Sequence, residues 1–206
     1  MFRTSVVAAV LFCCTSASAQ EAASYVLLDA ATPCPEPDAF LPFKRVGVCS
    51  IAWSKGRSAR FDAIRVVGSS MSAHPIRPER LPLYLARRGR EWFFATAAAY
   101  GPAFRDVWEY SHVAGARYWI AHRDGVAYRL TCDAGGWYAD RLVGPVRLAH
   151  GLPYFVLRDA AHFRVYWGES DTGPFDAVPD VLPTEDALQL AVADRAEPIP
   201  FFLGQD

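Results

Sequence analysis

The chain has 206 residues, 52% of them hydrophobic and 21% charged, with 21 basic against 22 acidic side chains. That is enough apolar sequence for one domain with a core of its own, and a net charge of −1 excludes the strongly basic surface of a nucleic-acid-binding protein. The basic residues are nearly all arginine, first a compositional habit and second a means of recognising anions.

Residues 1–19 read as a secretory signal peptide. Arg3 supplies the positive start, Val6 to Cys14 is an apolar run too short to span a bilayer, and Ala17-Ser18-Ala19 is a small-residue cleavage site. Phe12 precedes Cys13 and Cys13 precedes Cys14, which does not fit a lipid-anchored leader. Cleavage removes one charge, Arg3, so the mature chain keeps 187 of the 206 residues, with 20 basic against 22 acidic. No later segment offers 18 consecutive apolar residues, so the expected product is a soluble periplasmic or secreted domain, residues 20–206, with no membrane insertion. Cys34 and Cys49 flank a proline-rich stretch (Pro33, Pro35, Pro37, Pro42) that cannot build its own core, and a disulfide is expected between them. Closing a loop of about 15 residues is worth ~3 kcal/mol in the chain-entropy model. Cys132, in phase with Val126, Tyr128 and Leu130, reads as a buried free thiol.

Strand signals dominate the rest. Residues 46–53, 81–85, 118–121 and 154–157 are apolar, β-prone runs bounded by turn residues. Residues 126–133 and 162–167 alternate with period two and predict half-buried strands. Residues 91–100 are alanine-rich and leave a helix open, and so do residues 184–193, where a strand over 188–192 is favoured. Tight turns are expected at residues 87–90, 122–125 and 158–161. The second contains Asp124-Gly125, the strongest hairpin signal in the chain.

One phrase recurs: an aromatic, an Asp within two positions, then an aliphatic. It reads Phe61-Asp62-Ala63-Ile64, Phe104-Arg105-Asp106-Val107, Tyr138-Ala139-Asp140-Arg141-Leu142 and Phe175-Asp176-Ala177-Val178, at spacings of 43, 34 and 37 residues. Gly101-Pro102, Gly135-Gly136 and Gly173-Pro174 precede three of the four. Such a period predicts stacked supersecondary units, near 25–60, 61–103, 104–138, 139–174 and 175–206. In each, the aromatic packs on the preceding unit and the Asp accepts backbone N–H groups at a turn. The expected fold is all-β, built from three-stranded units of about 35 residues. A propeller-like ring is preferred because it leaves few exposed edges, and a β-sandwich or barrel is the alternative.

Trp167-Gly168, followed by Gly173-Pro174-Phe175-Asp176 and an aliphatic, resembles the WG β-repeat, a family of short three-stranded units with Trp-Gly and Tyr/Phe-Asp in each copy. Propeller-type repeats share this look. The resemblance covers about residues 61–206 and implies binding rather than catalysis. It brings no functional residues with it.

The familiar catalytic signatures are absent: no Gly-x-Ser-x-Gly, no His-Glu-x-x-His, no phosphate loop and no dinucleotide fingerprint. His74, His112 and His150, each 38 residues from the next, fall in the loops after the first strand of successive units. Equivalent loops share a face, which makes the three candidates for a metal or anion site; zinc takes three or four such groups at about 2.1 Å. The plainer reading is three exposed loop histidines, with His122 and His162 on the opposite rim. The loop 68–80 carries His74, Arg77 and Arg80. Nearby segments add Arg117 and Arg147, with Trp108, Tyr110 and Trp119 as stacking surfaces or, in the plainer reading, as core. Arginine with aromatics suits a glycan or a protein partner. The expected function is an exported β-repeat binding module that recognises a protein or glycan of the cell envelope through one loop face, with no cofactor. The alternative is a glycan-active hydrolase using acidic residues at the centre of the ring, where an inverting pair of carboxylates stands ~6.5–9.5 Å apart.

Overall fold

The computed structural model describes residues 23–28, 42–45, 48–53, 56–71, 80–112, 117–133, 135–185 and 187–191. The leader, Cys34, His74 and Arg77 lie outside them. The described residues contain sixteen strands and no helix. These are β1 (Ser24–Leu27), β2 (Pro42–Arg45), β3 (Val48–Trp53), β4 (Gly56–Arg57), β5 (Ala63–Met71), β6 (Arg80–Arg88), β7 (Glu91–Ala95) and β8 (Tyr100–Ser111). The second half holds β9 (Arg117–Arg123), β10 (Val126–Asp133), β11 (Gly136–Ala149), β12 (Leu152–Asp159), β13 (His162–Trp167), β14 (Ser170–Phe175), β15 (Asp180–Pro183) and β16 (Leu188–Ala191). The alanine-rich segment therefore starts as a strand, because Trp92 and Phe94 both point into the core two residues apart.

Strands β5 to β14 follow one another in chain order through a single antiparallel sheet, to which β1 is added on β8. The described strands close neither a ring of sheets nor a barrel. The turns supply the left-handed backbone that short hairpins need: Asp124 and Gly125 have φ of 53° and 76°, and His150 and Gly151 have 52° and 77°.

Two long strands change partners midway. In β8, Tyr100 to Phe104 pair with β7, whereas Arg105 and Trp108 to Ser111 pair with β9. In β11, Gly136 to Arg141 pair with β10 and Leu142 to Ala149 with β12. Both exchanges fall on the recurring phrase, and each strand is bulged nearby, at Arg105/Trp108 and Val143/Arg147. Bulges bend a strand and raise its twist. The meander consequently rolls rather than lying flat.

The roll gives two apolar layers. On the inner face Leu85, Trp92, Phe94, Phe104, Val107, Trp119 and Leu130 form one cluster. Edge-to-face contacts tie it together, with ring centroids 4.8 Å apart for Phe94–Trp137 and 5.2 Å for Trp119–Trp137. The Trp137 Nε1–H donates to Ala95 O at 2.9 Å, bringing the start of β11 to the end of β7. On the other face Tyr110, Tyr118, Ile120 and Ala127 pack against Tyr154, Phe155, Leu157, Trp167 and Leu188, so β12 and β13 fold back over β8–β10. Strand β10 is thus covered on both faces rather than half-buried: Leu130 enters the first cluster, Ala127 the second, and Arg129 lies over the Tyr166 ring at 4.4 Å.

The recurring residues keep only part of their expected role. Phe61 and Phe104 are buried, but Tyr138 is 48% exposed, because its neighbour Trp137, opposite Cys132, takes the inward position. Among the four aspartates, Asp62 accepts a backbone N–H, from Gly89 at 2.7 Å. Asp106 sits at a positive φ of 47°, Asp140 pairs with Arg129 at 3.2 Å, and Asp176 meets His162 at 3.1 Å.

Candidate functional site

The strand alternation of β8 that turns Val107 inward also turns Glu109 inward, and its carboxylate is buried, the residue being 2% exposed. A carboxylate removed from water needs charged partners. Arg65 of β5 supplies one: Nη2 donates to Oε1 at 2.9 Å, and Nη1 stands 2.9 Å from Oε2, which accepts no hydrogen bond among the described residues. Arg117, the first residue of β9, places Nε 3.5 Å from Oε1. The guanidinium-bearing side chains are 38% and 41% exposed, while that of Glu109 is 3% exposed. One buried negative charge therefore anchors two positive ones at the surface. Cys132 lies in the field of Arg117. Burial pushes its thiol up, and the arginine pulls the other way without prevailing, so Cys132 stays a protonated free thiol.

The other residues expected at a binding face divide. Trp119 is fully buried and Tyr110 is 1% exposed. Both are core and offer no stacking surface, because both faces of β8–β9 are covered. Trp108 is half-buried and stacks on Tyr25 with centroids 5.1 Å apart. Burial also raises the Tyr110 and Tyr118 phenols, whose rings stack at 4.6 Å. Arg147 is exposed on β11 opposite Tyr154, and Arg80 opens β6.

Two of the three spaced histidines reach the same turn, the one carrying Trp-Gly. The His112 Nδ1 is 3.3 Å from Glu169 Oε1. His150 Nε2 donates to Thr184 O at 2.9 Å, and its ring tilts on Trp167 at 5.6 Å. Neither arrangement is a metal centre, and the described residues hold no group of three metal-ligating side chains. Trp167-Gly168 itself is a clasp. Trp167 Nε1–H donates to Ala149 O at 3.1 Å, Gly168 N–H donates to Pro153 O at 2.9 Å, and Tyr118 O–H donates to Gly168 O at 2.8 Å.

A concavity opens where β8 leaves β7 for β9. It is a cleft of about 710 Å³ lined by Glu91, Arg105, Asp106, His122, Arg123 and Asp124 among others. Arg105 is 3.7 Å from Glu91, and Arg123 lies over the Phe104 and Tyr128 rings. The His122 Nδ1 is buried without a hydrogen-bond partner.

Sequence reasoning placed Arg117 at the site and missed Arg65, Glu109 and the cleft. A signal existed for the first two. Arg65 interrupts Ala63-Ile64-Arg65-Val66, and Glu109 interrupts Val107-Trp108-Glu109-Tyr110; a charge inside a buried strand implies a partner of opposite sign. Comparison with family models, curated proteins and solved structures found no match.

Proposed function

We propose that this chain is an exported β-repeat binding module that recognises a protein or glycan partner of the cell envelope, in the periplasm or outside the cell, through the end of the sheet that carries Arg65 and Arg117. The observation that carries the reading is the pair of half-exposed guanidiniums fixed by one buried carboxylate. Arginines held in this way have lost their rotamer freedom before a partner arrives, which lowers the cost of binding. The repeat reading, and with it the WG β-repeat likeness, is supported by β8 and β11, which exchange partners at the same recurring phrase. Export is supported by the leader-like residues 1–19. The Cys34–Cys49 bridge belongs to the same proposal: Cys49 is buried, and Cys34 lies outside the described residues. Intact mass under non-reducing conditions, two hydrogens below the free-thiol value, is the expected outcome.

The test of function is capture. Mature protein is immobilised, exposed to envelope extract of its own source, and the bound material identified. Arg117→Ala leaves the Arg65–Glu109 pair intact and so keeps the fold. A loss of at least about tenfold in capture of the partner is expected, and unchanged capture overturns the reading.

The cleft supports a second reading, a glycan-active hydrolase. Three carboxylates, Glu91, Asp106 and Asp124, line it beside a histidine with an unsatisfied buried nitrogen. Release of reducing ends from envelope polysaccharide by the mature protein, abolished in Asp106→Asn, is its expected result; no release by the unaltered protein ends it.

A further inference from the structure

We infer that the place on β8 filled by β1 is a strand-acceptor site, where an extended segment of a partner protein displaces β1 and sets a hydroxyl-bearing side chain against Glu109. The segment carries an aromatic, then threonine or serine, then any residue, then an aliphatic, at the places of Tyr25, Val26, Leu27 and Leu28. The inference rests on the binding reading above and names the partner as a protein and its contact as an added strand.

The acceptor edge follows from the partner exchange. Pairing of β7 with β8 stops at Phe104. Beyond it β9 holds one edge of Trp108 to Ser111 and β1 holds the other, antiparallel, from Ser24 opposite Ser111 to Leu27 opposite Trp108. β1 is the strand of this sheet that stands outside chain order. Three of its four residues are exposed, Val26 at 51% and Leu27 at 47%. A short, exposed strand opens at lower cost than core strands do, and once it leaves, the backbone groups of Trp108 to Ser111 need a new partner. Two anchors lie on opposite faces. Tyr25 stacks on Trp108 at 5.1 Å. Leu28, 7% exposed, enters the cluster of Val107 and Trp119, and its N–H donates to Val107 O at 2.8 Å. In strand addition the ladder supplies affinity, and such alternating side chains supply selectivity.

One position of β1 is mismatched to this edge. Val26 stands opposite Glu109, so the two side chains share a face, with Cβ atoms about 4.5–5.5 Å apart. Glu109 is 2% exposed, and its Oε2, though 2.9 Å from Arg65 Nη1, accepts no hydrogen bond among the described residues. Buried acceptors are nearly always satisfied, and valine has no donor to offer. Threonine has valine's shape, suits a strand equally well and brings one O–H. It is neutral, so it leaves the balance of Arg65 and Arg117 against one carboxylate untouched, where lysine would add a third positive charge at close range. The mismatch therefore selects a hydroxyl donor.

The experiment is fluorescence anisotropy of labelled peptides titrated with the mature chain. The probes are the sequence of residues 22–29, the same peptide with Val26→Thr, and a scrambled peptide of equal composition. The Val26→Thr peptide is expected to bind at least about fivefold tighter than the unaltered sequence, and the scrambled peptide is not expected to bind. Ser24 and Ser111 face each other with Oγ atoms 2.8 Å apart, so Ser24→Cys with Ser111→Cys, in a Cys132→Ser chain, locks β1 on β8 when oxidised. The locked chain is expected to lose the peptide binding that the Cys132→Ser chain keeps. Binding that survives the lock, no binding by the Val26→Thr peptide, equal binding of the two sequences, or capture of a glycan instead of a protein from the extract each overturn the inference. Its failure is distinguishable from failure of the broader reading. If no peptide binds while Arg117→Ala still lowers capture from the extract, strand addition is wrong and the binding module stands; unchanged capture in Arg117→Ala overturns the module whatever the peptides do.

Discussion

Glu109 shows how one side chain can organise a surface. Its carboxylate is out of water, so each arginine contributes chiefly by making that burial tolerable. Truncating Arg65 therefore costs more than truncating the acid, because it leaves a 3%-exposed carboxylate short of its closest partner. Glu109→Ala leaves two guanidiniums facing each other. Its cost stays below the ~3–5 kcal/mol of a fully buried broken pair, because Arg65 and Arg117 are 38% and 41% exposed and water takes up part of the loss. Arg65→Ala is expected to cost more than Arg117→Ala, since it removes both close contacts. Urea denaturation midpoints of the three variants check this order. Tyr118 offers a plainer case: Tyr118→Phe removes the donor to Gly168 O and is expected to cost about 1 kcal/mol, read from the same curves. At this scale the sequence was half legible. Arg117 was visible as a basic residue beside aromatics, but nothing local says that a residue 44 positions before Glu109 will reach it. For Tyr110 and Trp119 the sequence left stacking surface and core both open, and the structure takes core: their exposure is decided by what covers the strand, not by their neighbours in the chain.

Among the elements, hairpins were the most readable. Asp124-Gly125 predicted its own turn and took the two positive φ values the turn requires. Trp167-Gly168 was legible as a motif but not as a mechanism; the clasp depends on Tyr118 and Ala149, which only the fold brings near. Two glycines separate strain from crowding. Gly144 has φ +80° with nothing within 4 Å of an added Cβ, whereas at Gly168, φ +60°, the Cβ meets Tyr110 Oη at 3.1 Å and Leu152 Cδ1 at 3.4 Å. Gly144→Ala is expected to cost the left-handed penalty of about 1–2 kcal/mol, and Gly168→Ala more than that. Thermal melting of both variants tests the difference, and equal losses contradict the clasp. The partner exchange in β8 and β11 had a sequence trace too, since the recurring phrase marks the place, but the phrase does not say that one strand serves two hairpins.

Across the whole molecule, the all-β class was legible because period-two patterns and turn residues alternate along most of the chain. The roll was not, since it follows from bulges at Arg105/Trp108 and Val143/Arg147 that local patterns do not encode. One global consequence is a dependence on alkaline pH. Burial raises the phenols of Tyr25, Tyr84, Tyr110 and Tyr118 above their ordinary value of 10.0. Such groups stay protonated in the folded state while the unfolded chain ionises. Their stabilisation is complete below pH 10.0 and is lost as pH climbs toward the raised values. Denaturation midpoints are therefore expected to hold steady to about pH 9 and fall from about pH 10 upward, with phenolate absorbance from these rings appearing only as the protein unfolds.

The rolling of the sheet and the candidate site meet in one contact, Arg65 with Glu109, which joins β5 to β8. A double-mutant cycle with Arg65→Ala and Glu109→Gln, read from urea denaturation, measures that contact directly. A coupling of about 1–3 kcal/mol is expected for two residues in one ion-pair network. Losses that add to within ~0.5 kcal/mol, as for residues far apart, would contradict both the roll and the site it builds.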